Sequence, residues 1–211
     1  MLLLSHRGLW LRPEEKNTLA ALRRSLEEGF GLETDIRDHD GRLVISHDPP
    51  SGDCLDLNLF LECYRSMGSD VTLALNIKSD GLRYLLDKAL RNYGINRYFV
   101  FDLSIPQARH YLASPMPVFT RHSEDEPHPA HYDRAAGVWM DCFDSDWINE
   151  SDVDKHLRNS KQVCIVSPEL HRRSHDNFWR QMKQWRCLAS DELMLCTDHP
   201  RQAREFFNAR D

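Results

Sequence analysis

The chain alternates short apolar runs with amphipathic stretches along its whole length, and this alternation limits its possible folds more than any other feature. Nine runs stand out: Leu2–Ser5, Gly31–Ile36, Leu43–Ser46, Val71–Ile77, Tyr98–Leu103, Pro117–Thr120, Gly137–Cys142, Gln162–Ser167 and Leu193–Thr197. Helical patterns fall between them, at Asn17–Gly29, Leu55–Met67, Gly81–Tyr93, Ile105–Ala113, Asn149–Asn159, His175–Trp185 and Pro200–Asn208. In the first, Leu19, Leu22 and Leu26 recur at helical spacing, and Gly29 supplies a C-terminal stop. Strands alternating with helices imply βαβ units and a parallel sheet. A chain of 211 residues suits one domain, 1–211, near the lower size limit of a (β/α)8 TIM barrel. A closed barrel is favoured over an open doubly wound sheet, since no glycine-rich phosphate loop follows the first run. Nine runs exceed the eight strands of a barrel. Gly31–Ile36 and Leu43–Ser46 are joined only by Asp38-His39-Asp40-Gly41. They are either successive barrel strands or a strand and an appendage.

Composition excludes several roles. The net charge is −6, with 27 basic and 33 acidic residues interspersed, so no basic face for nucleic acid is expected. The opening Met1-Leu2-Leu3-Leu4 meets Ser5-His6-Arg7 at once, too short for a leader or a membrane span, and a cytoplasmic protein is expected. The six cysteines show no C-x-x-C spacing and read as reduced, with Cys142, Cys164 and Cys196 inside apolar runs. Most of the eleven histidines, including His110, His122, His128, His131 and His156, sit in polar contexts where solvation is the default.

Polar residues gather where the runs end. His6-Arg7, His47-Asp48, Asn76 with Lys78, Ser167-Pro168-Glu169 and Thr197-Asp198 all do so, and Glu33 and Asp35 share the second run. In a parallel barrel every strand C-terminus opens on one face, where loops assemble active sites. Glu33 and Asp35 alternate to one side of their strand, about 6–7 Å apart. Two carboxylates so placed raise each other's pKa unless a cation intervenes, and hard oxygen ligands suit Mg²⁺ or Ca²⁺. Taken alone, that pair also reads as ordinary surface acids.

Ser5-His6-Arg7-Gly8, Asn17-Thr18, Glu33-Thr34-Asp35 and Asp40-Gly41-Arg42-Leu43-Val44-Ile45-Ser46-His47-Asp48 form an ordered series. The series resembles the glycerophosphodiester phosphodiesterase family, with its H-R-G, E-N-T, E-x-D and D-G-x-x-V-x-x-H-D elements. Asn76-Ile77-Lys78 falls at the family's E-x-K, and Thr197-Asp198-His199-Pro200 is similar to its T-D-x-P. The resemblance implies a metal-dependent phosphodiesterase of a small phosphodiester, with His6 and His47 as general acid and base in an order left open. A phosphodiester anion needs charge neutralisation as well as proton transfer. Arg7 offers phosphate oxygens a planar fork and Lys78 a point charge.

Two departures matter. The resemblance places a metal-ligating glutamate where Asn76 stands, which removes one negative charge and weakens cation binding unless another acid substitutes. Glu169 is the first such candidate, with His171 alongside, and Asp141 and Asp102 follow; Glu169 reads equally well as a loop acid. The stretch Pro49–Asp70 is also too short to hold the family's usual insertion, so the pocket is expected to be open. Arg121-His122, Arg172-Arg173, Trp139 and Trp147 read as solvated charges and core rings before they read as a specificity pocket. Ser123–Pro129, acidic and broken by proline, is a candidate lid. Two other readings stand beside the hydrolase: a degenerate barrel that binds a phosphorylated ligand without turnover, and an isomerase or aldolase using Lys78. The last ranks lowest, because neighbouring carboxylates raise a lysine's pKa where a Schiff base needs it lowered.

Overall fold

The computed structural model describes residues 1–209. Its packing resolves into two compact units, Ser5–Val118 and the chain from Phe119 on together with Met1–Leu4. Each has its own hydrophobic core.

The first unit holds the end of β1 (Leu2–His6), then α1 (Leu19–Glu27), β2 (Gly31–His39), β3 (Arg42–Ile45), β4 (Leu55–Asp56), α2 (Leu57–Ser66), β5 (Leu73–Ile77), α3 (Arg83–Asn92), β6 (Tyr98–Phe101) and α4 (Ile105–Tyr111). Strands β2, β5 and β6 run parallel, and β5 is buried along its whole length, as a strand covered on both faces must be. Side chains cap the helices that follow: Thr18 accepts from Ala21 N–H at α1, Asp56 from Asn58 N–H at α2, and Ser104 from Gln107 N–H at α4. The core gathers around Leu22, Leu32, Ile36, Phe60, Leu75 and Leu86.

The strand-count ambiguity resolves here. β3 is antiparallel to β2, with Ile36 opposite Ile45 and His39 opposite Arg42. It is therefore the return arm of a hairpin, and β4 pairs antiparallel with β3 in turn. Asp40 and Gly41 both take positive φ, 47° and 74°, the turn geometry whose twist matches a two-residue hairpin. β2 runs past its parallel partner to make this hairpin, which brings Ser46 N–H back to Asp35 C=O at 3.0 Å.

The second unit carries β7 (Phe119–His122), β8 (Gly137–Met140), α5 (Glu150–Arg158), β9 (Gln162–Val166), α6 (Asp176–Met182), β10 (Leu193–Thr197) and α7 (Pro200–Asn208). β7, β8, β9 and β10 are parallel neighbours in that order. Asn149 caps α5 by accepting from Ser151 and Asp152 N–H. Val138, Ile165, Phe178, Trp179 and Leu195 form its core.

Cys142, Cys164 and Cys196 are buried, and none of the six cysteines forms a disulfide. Among the described residues no helix is long and apolar enough to cross a membrane. His156, expected to be solvated, is only 3% exposed, on the inner face of α5, and His122 is half-buried.

Candidate active site

The site of the first unit begins at the turn after β1. Arg7 takes φ 56° and Gly8 φ 86°, a left-handed step that costs arginine strain and glycine none. A Cβ on Gly8 would lie 2.7 Å from the Ala21 carbonyl carbon, so only glycine lets this turn sit on α1. The turn aims Arg7 N–H at Glu33, where it donates to Oε2 at 3.2 Å, and sets His6 Nε2 3.9 Å from the same oxygen.

Glu33 and Asp35 both point inward, 2% and 0% exposed. Asp35 is heavily partnered. Its Oδ2 accepts from Asn17 Nδ2 at 2.8 Å and lies 3.0 Å from Arg7 Nε, while its Oδ1 lies 3.4 Å from Lys78 Nζ. The Arg7 and Lys78 contacts are ion pairs whose angles fall short of hydrogen bonds. Lys78 also lies 3.8 Å from Asp102. Glu33 fares differently. Burial, and then the charge of Asp35, push its pKa up to about 8 against the lowering influence of Arg7 and Lys78. At neutral pH this carboxyl holds a proton unless a further cation arrives.

Asn76 is the register partner of Asp35 on the adjoining parallel strand. Its Oδ1 is buried with no hydrogen-bond partner, a costly state for an amide oxygen. An orphaned oxygen beside one carboxylate, with a second carboxylate two residues away, is a donor set that suits a hard divalent cation. The charge is thin, however. Among the described residues no group of three or more His, Cys, Asp or Glu is arranged to hold a metal ion, and Arg7 and Lys78 already balance Glu33 and Asp35.

His47 follows β3 and is delivered by the hairpin, so it does not sit at the C-terminal end of a barrel strand as the sequence suggested. Its side chain is 44% exposed and its Nδ1 lies 2.9 Å from Asp48 Oδ1. If Nδ1–H donates there, Nε2 presents a lone pair. Its backbone carbonyl accepts from Arg37 Nε at 3.0 Å. His6, Arg7, Glu33, Asp35, Asn76 and Lys78 thus form one connected group, and His47 stands at the next residue beyond the Ser46–Asp35 bond.

Glu169 belongs to the second unit, in the single helical turn Pro168–His171 after β9. Its oxygens accept from Thr197 Oγ1, from Asp198 N–H at 3.1 Å and from Ser167 Oγ, and His175 Nδ1 lies 3.6 Å away. A cation at Glu169 would have to displace these donors. His171 pairs instead with Asp141, Nε2 to Oδ1 at 2.6 Å. Arg173 donates to Asp146 and to the carbonyls of Cys142 and Ser145, so it is a tied structural charge rather than the solvated one expected, while Trp139 is core as expected. The candidate lid is tied down: Glu124 accepts from Phe143, Asp144 and Ser145 N–H, each at 3.1 Å.

Sequence reasoning missed Asn17 as the residue that orients Asp35. Its Oδ1 accepts from Thr34 Oγ1 at 2.8 Å, which fixes the amide so that Nδ2 faces Asp35. The signal was the place of Asn17-Thr18 in the motif series, which carried no role by itself.

No family model matches the sequence, and no curated protein matches it. Solved structures do. A Galdieria sulphuraria protein provisionally assigned as a glycerophosphodiester phosphodiesterase aligns over 99% of this chain and 98% of its own, at 16% identity and TM-score 0.76. The glycerophosphodiester phosphodiesterase of Agrobacterium tumefaciens aligns over 99% and 100%, at 16% identity and TM-score 0.73. An Oleispira antarctica phosphodiesterase, in complex with the product sn-glycerol-3-phosphate, aligns over 99% and 97%, at 15% identity and TM-score 0.67. The chain therefore shares the (β/α)8-class fold of these proteins, as expected from its strand–helix alternation.

Proposed function

We propose that this chain is a phosphodiesterase that hydrolyses a small, glycerophosphodiester-like substrate with the help of a divalent cation. One observation carries the reading: two buried carboxylates, Glu33 and Asp35, lie among Arg7, Lys78 and His6, with an unbonded amide oxygen on Asn76. Carboxyls perturbed in this way cluster at functional sites, and a bound cation would let Glu33 ionise beside Asp35. The fold shared with enzymes of this class adds to it.

In this reading Glu33, Asp35 and Asn76 hold Mg²⁺ or Ca²⁺. When bound, the cation supplies positive charge next to a phosphoryl oxygen. Arg7 and Lys78 draw the phosphate anion in and hold its oxygens, Arg7 through its fork and Lys78 as a point charge. His6 and His47 divide the acid and base roles. The base takes a proton from the water that attacks phosphorus, and the acid gives one to the alkoxide that leaves as the P–O bond breaks. Asn17 keeps Asp35 in place throughout. For Glu169 a ligand role would require it to leave its present hydrogen bonds. Six cysteines without a disulfide fit a reducing, cytoplasmic setting.

Hydrolysis of bis(p-nitrophenyl) phosphate with added Mg²⁺, Ca²⁺ or Mn²⁺ tests the proposal. It is expected in the wild type and expected to vanish in His6→Ala and in His47→Ala. A second reading, binding of a phosphorylated ligand without turnover, is favoured by Asn76 and by the two ion pairs on Asp35. Saturable binding of sn-glycerol 3-phosphate with no hydrolysis under any of these ions would select it.

A further inference from the structure

The second unit contains a chain of hydrogen bonds that the proposed reaction does not use. Asn159 Nδ2 donates to Tyr132 Oη at 3.3 Å, Tyr132 Oη lies 2.8 Å from His156 Nδ1, and His156 Nε2 lies 3.0 Å from His122 Nδ1. Three elements converge: the helical turn Tyr132–Arg134, the inner face of α5, and the last residue of β7.

One direction of donation is favoured at the Asn159 end. An asparagine amide nitrogen only donates, so it fills one lone pair of Tyr132 Oη and leaves the phenol O–H available for His156. Nδ1 of His156 is then the acceptor. Burial pulls this imidazole down to about 4, so it is neutral and carries its one proton on Nε2. That proton goes to Nδ1 of His122. His122, also lowered by burial, must then carry its proton on Nε2. Each ring is locked by the one behind it. The His122 ring is further held edge-on against Trp147, with centroids 4.6 Å apart.

We propose that His122 is a ligand-binding residue, a preset Nε2–H donor for an oxygen acceptor on a small ligand, with His156 and Tyr132 as its positioning residues. His122 is the C-terminal residue of a parallel strand, the end at which α/β folds bind ligands. A donor that cannot switch to acceptor selects phosphoryl, hydroxyl or carbonyl oxygen and rejects N–H groups, and its orientation is set before the ligand arrives. The oxygen-bearing character of the ligand rests on the phosphodiester reading, while the proton's position does not.

The test is nitrogen-detected histidine NMR on the full chain. The wild type should show His122 protonated on Nε2 and His156 likewise. Tyr132→Phe removes the donor that locks the relay, and should move both rings toward a mixture of tautomers. Sodium phosphate and glycerol, titrated separately, should shift the His122 Nε2 signal saturably with at least one probe, and the apparent affinity should fall at least threefold in Tyr132→Phe. Response to phosphate alone identifies a phosphoryl oxygen, and response to glycerol alone a hydroxyl. His122 protonated on Nδ1 in the wild type, or silence with both probes, overturns the proposal. Should Tyr132→Phe fail to fold, the wild-type tautomer and titrations decide by themselves. If bis(p-nitrophenyl) phosphate is hydrolysed while His122 stays silent, this inference falls and the phosphodiesterase reading stands. If His122 responds without hydrolysis, the reverse holds.

Discussion

Asp35 and Asn76 stand side by side as register partners on β2 and β5, one bearing two ion pairs and the other an amide oxygen with no hydrogen-bond partner. In the proposed reading, that pairing sets the cation affinity of the site. A carboxylate at position 76 would add the charge that Arg7 and Lys78 currently leave the site without. Asn76→Glu should tighten Mg²⁺ or Ca²⁺ binding by roughly tenfold or more, about 1.4 kcal/mol. Calorimetric titration reads it, and unchanged affinity would argue against the placement of Asn76 at the cation.

Glu33 makes stability depend on pH. Its folded pKa, about 8, lies above the ordinary 4.5, so the native state holds a proton that the unfolded chain has lost. The contribution is intact below 4.5, declines as pH rises, and is gone above about 8. Glu33→Gln removes the titrating group. Its stability advantage over the wild type in EDTA should grow from pH 5 to pH 8 and level off beyond, in thermal melts across that range. Saturating divalent cation should flatten the wild-type slope; a parallel pH profile for the two proteins would refute the assignment.

Asp35 holds Arg7 and Lys78 in a buried setting, and its loss leaves both without their shared counter-ion. Asp35→Asn is expected to cost about 3–5 kcal/mol. Asn17→Ala removes one bond to the same carboxylate and leaves Thr34 unpaired, at about 1–2 kcal/mol. Urea denaturation of the two variants should keep that order.

Gly8 has no room for a side chain. Gly8→Ala combines a positive φ, about 1–3 kcal/mol for a residue other than glycine, with a Cβ 2.7 Å from backbone carbon. The variant should unfold at markedly lower denaturant. Because the turn also aims Arg7 at Glu33, affinity for inorganic phosphate should weaken in whatever fraction remains folded.

Glu124 latches the segment after β7 to the one after β8. Burial opposes its charge, but backbone N–H donors override this and hold its pKa below the usual range. The latch is present at neutral pH and released as pH falls through that lowered value. Glu124→Gln should speed amide exchange at Phe143, Asp144 and Ser145, with a local loss of about 1–2 kcal/mol. Unaltered exchange there would restore the mobile lid.

Much of this was legible in residue order. Periodicity located the seven α-helices among the described residues to within a few positions, because apolar faces must be buried whatever they pack against. Glu33, Asp35, His6 and Arg7 could be grouped because strand ends of a parallel fold converge. β3 was less legible: Leu43–Ser46 has a strand's composition, and composition says nothing of direction. His122 and His156 were misjudged for a related reason. A histidine in a polar stretch looks solvated until a partner more than thirty positions away is found against it.

Local chemistry, carried by the chain itself, settled where strands and helices form, that Asp40-Gly41 turns tightly, and that acids, imidazoles and cations gather at strand ends. These depend on side-chain periodicity and backbone sterics within a few residues. Tertiary structure alone decided that Asn17 fastens Asp35, that Glu169 is occupied by Thr197 and Ser167, and that Tyr132, His156 and His122 line up in one hydrogen-bonded chain. Each of those rests on contacts between groups distant in sequence, where burial removes water as an alternative partner and makes the pairing matter.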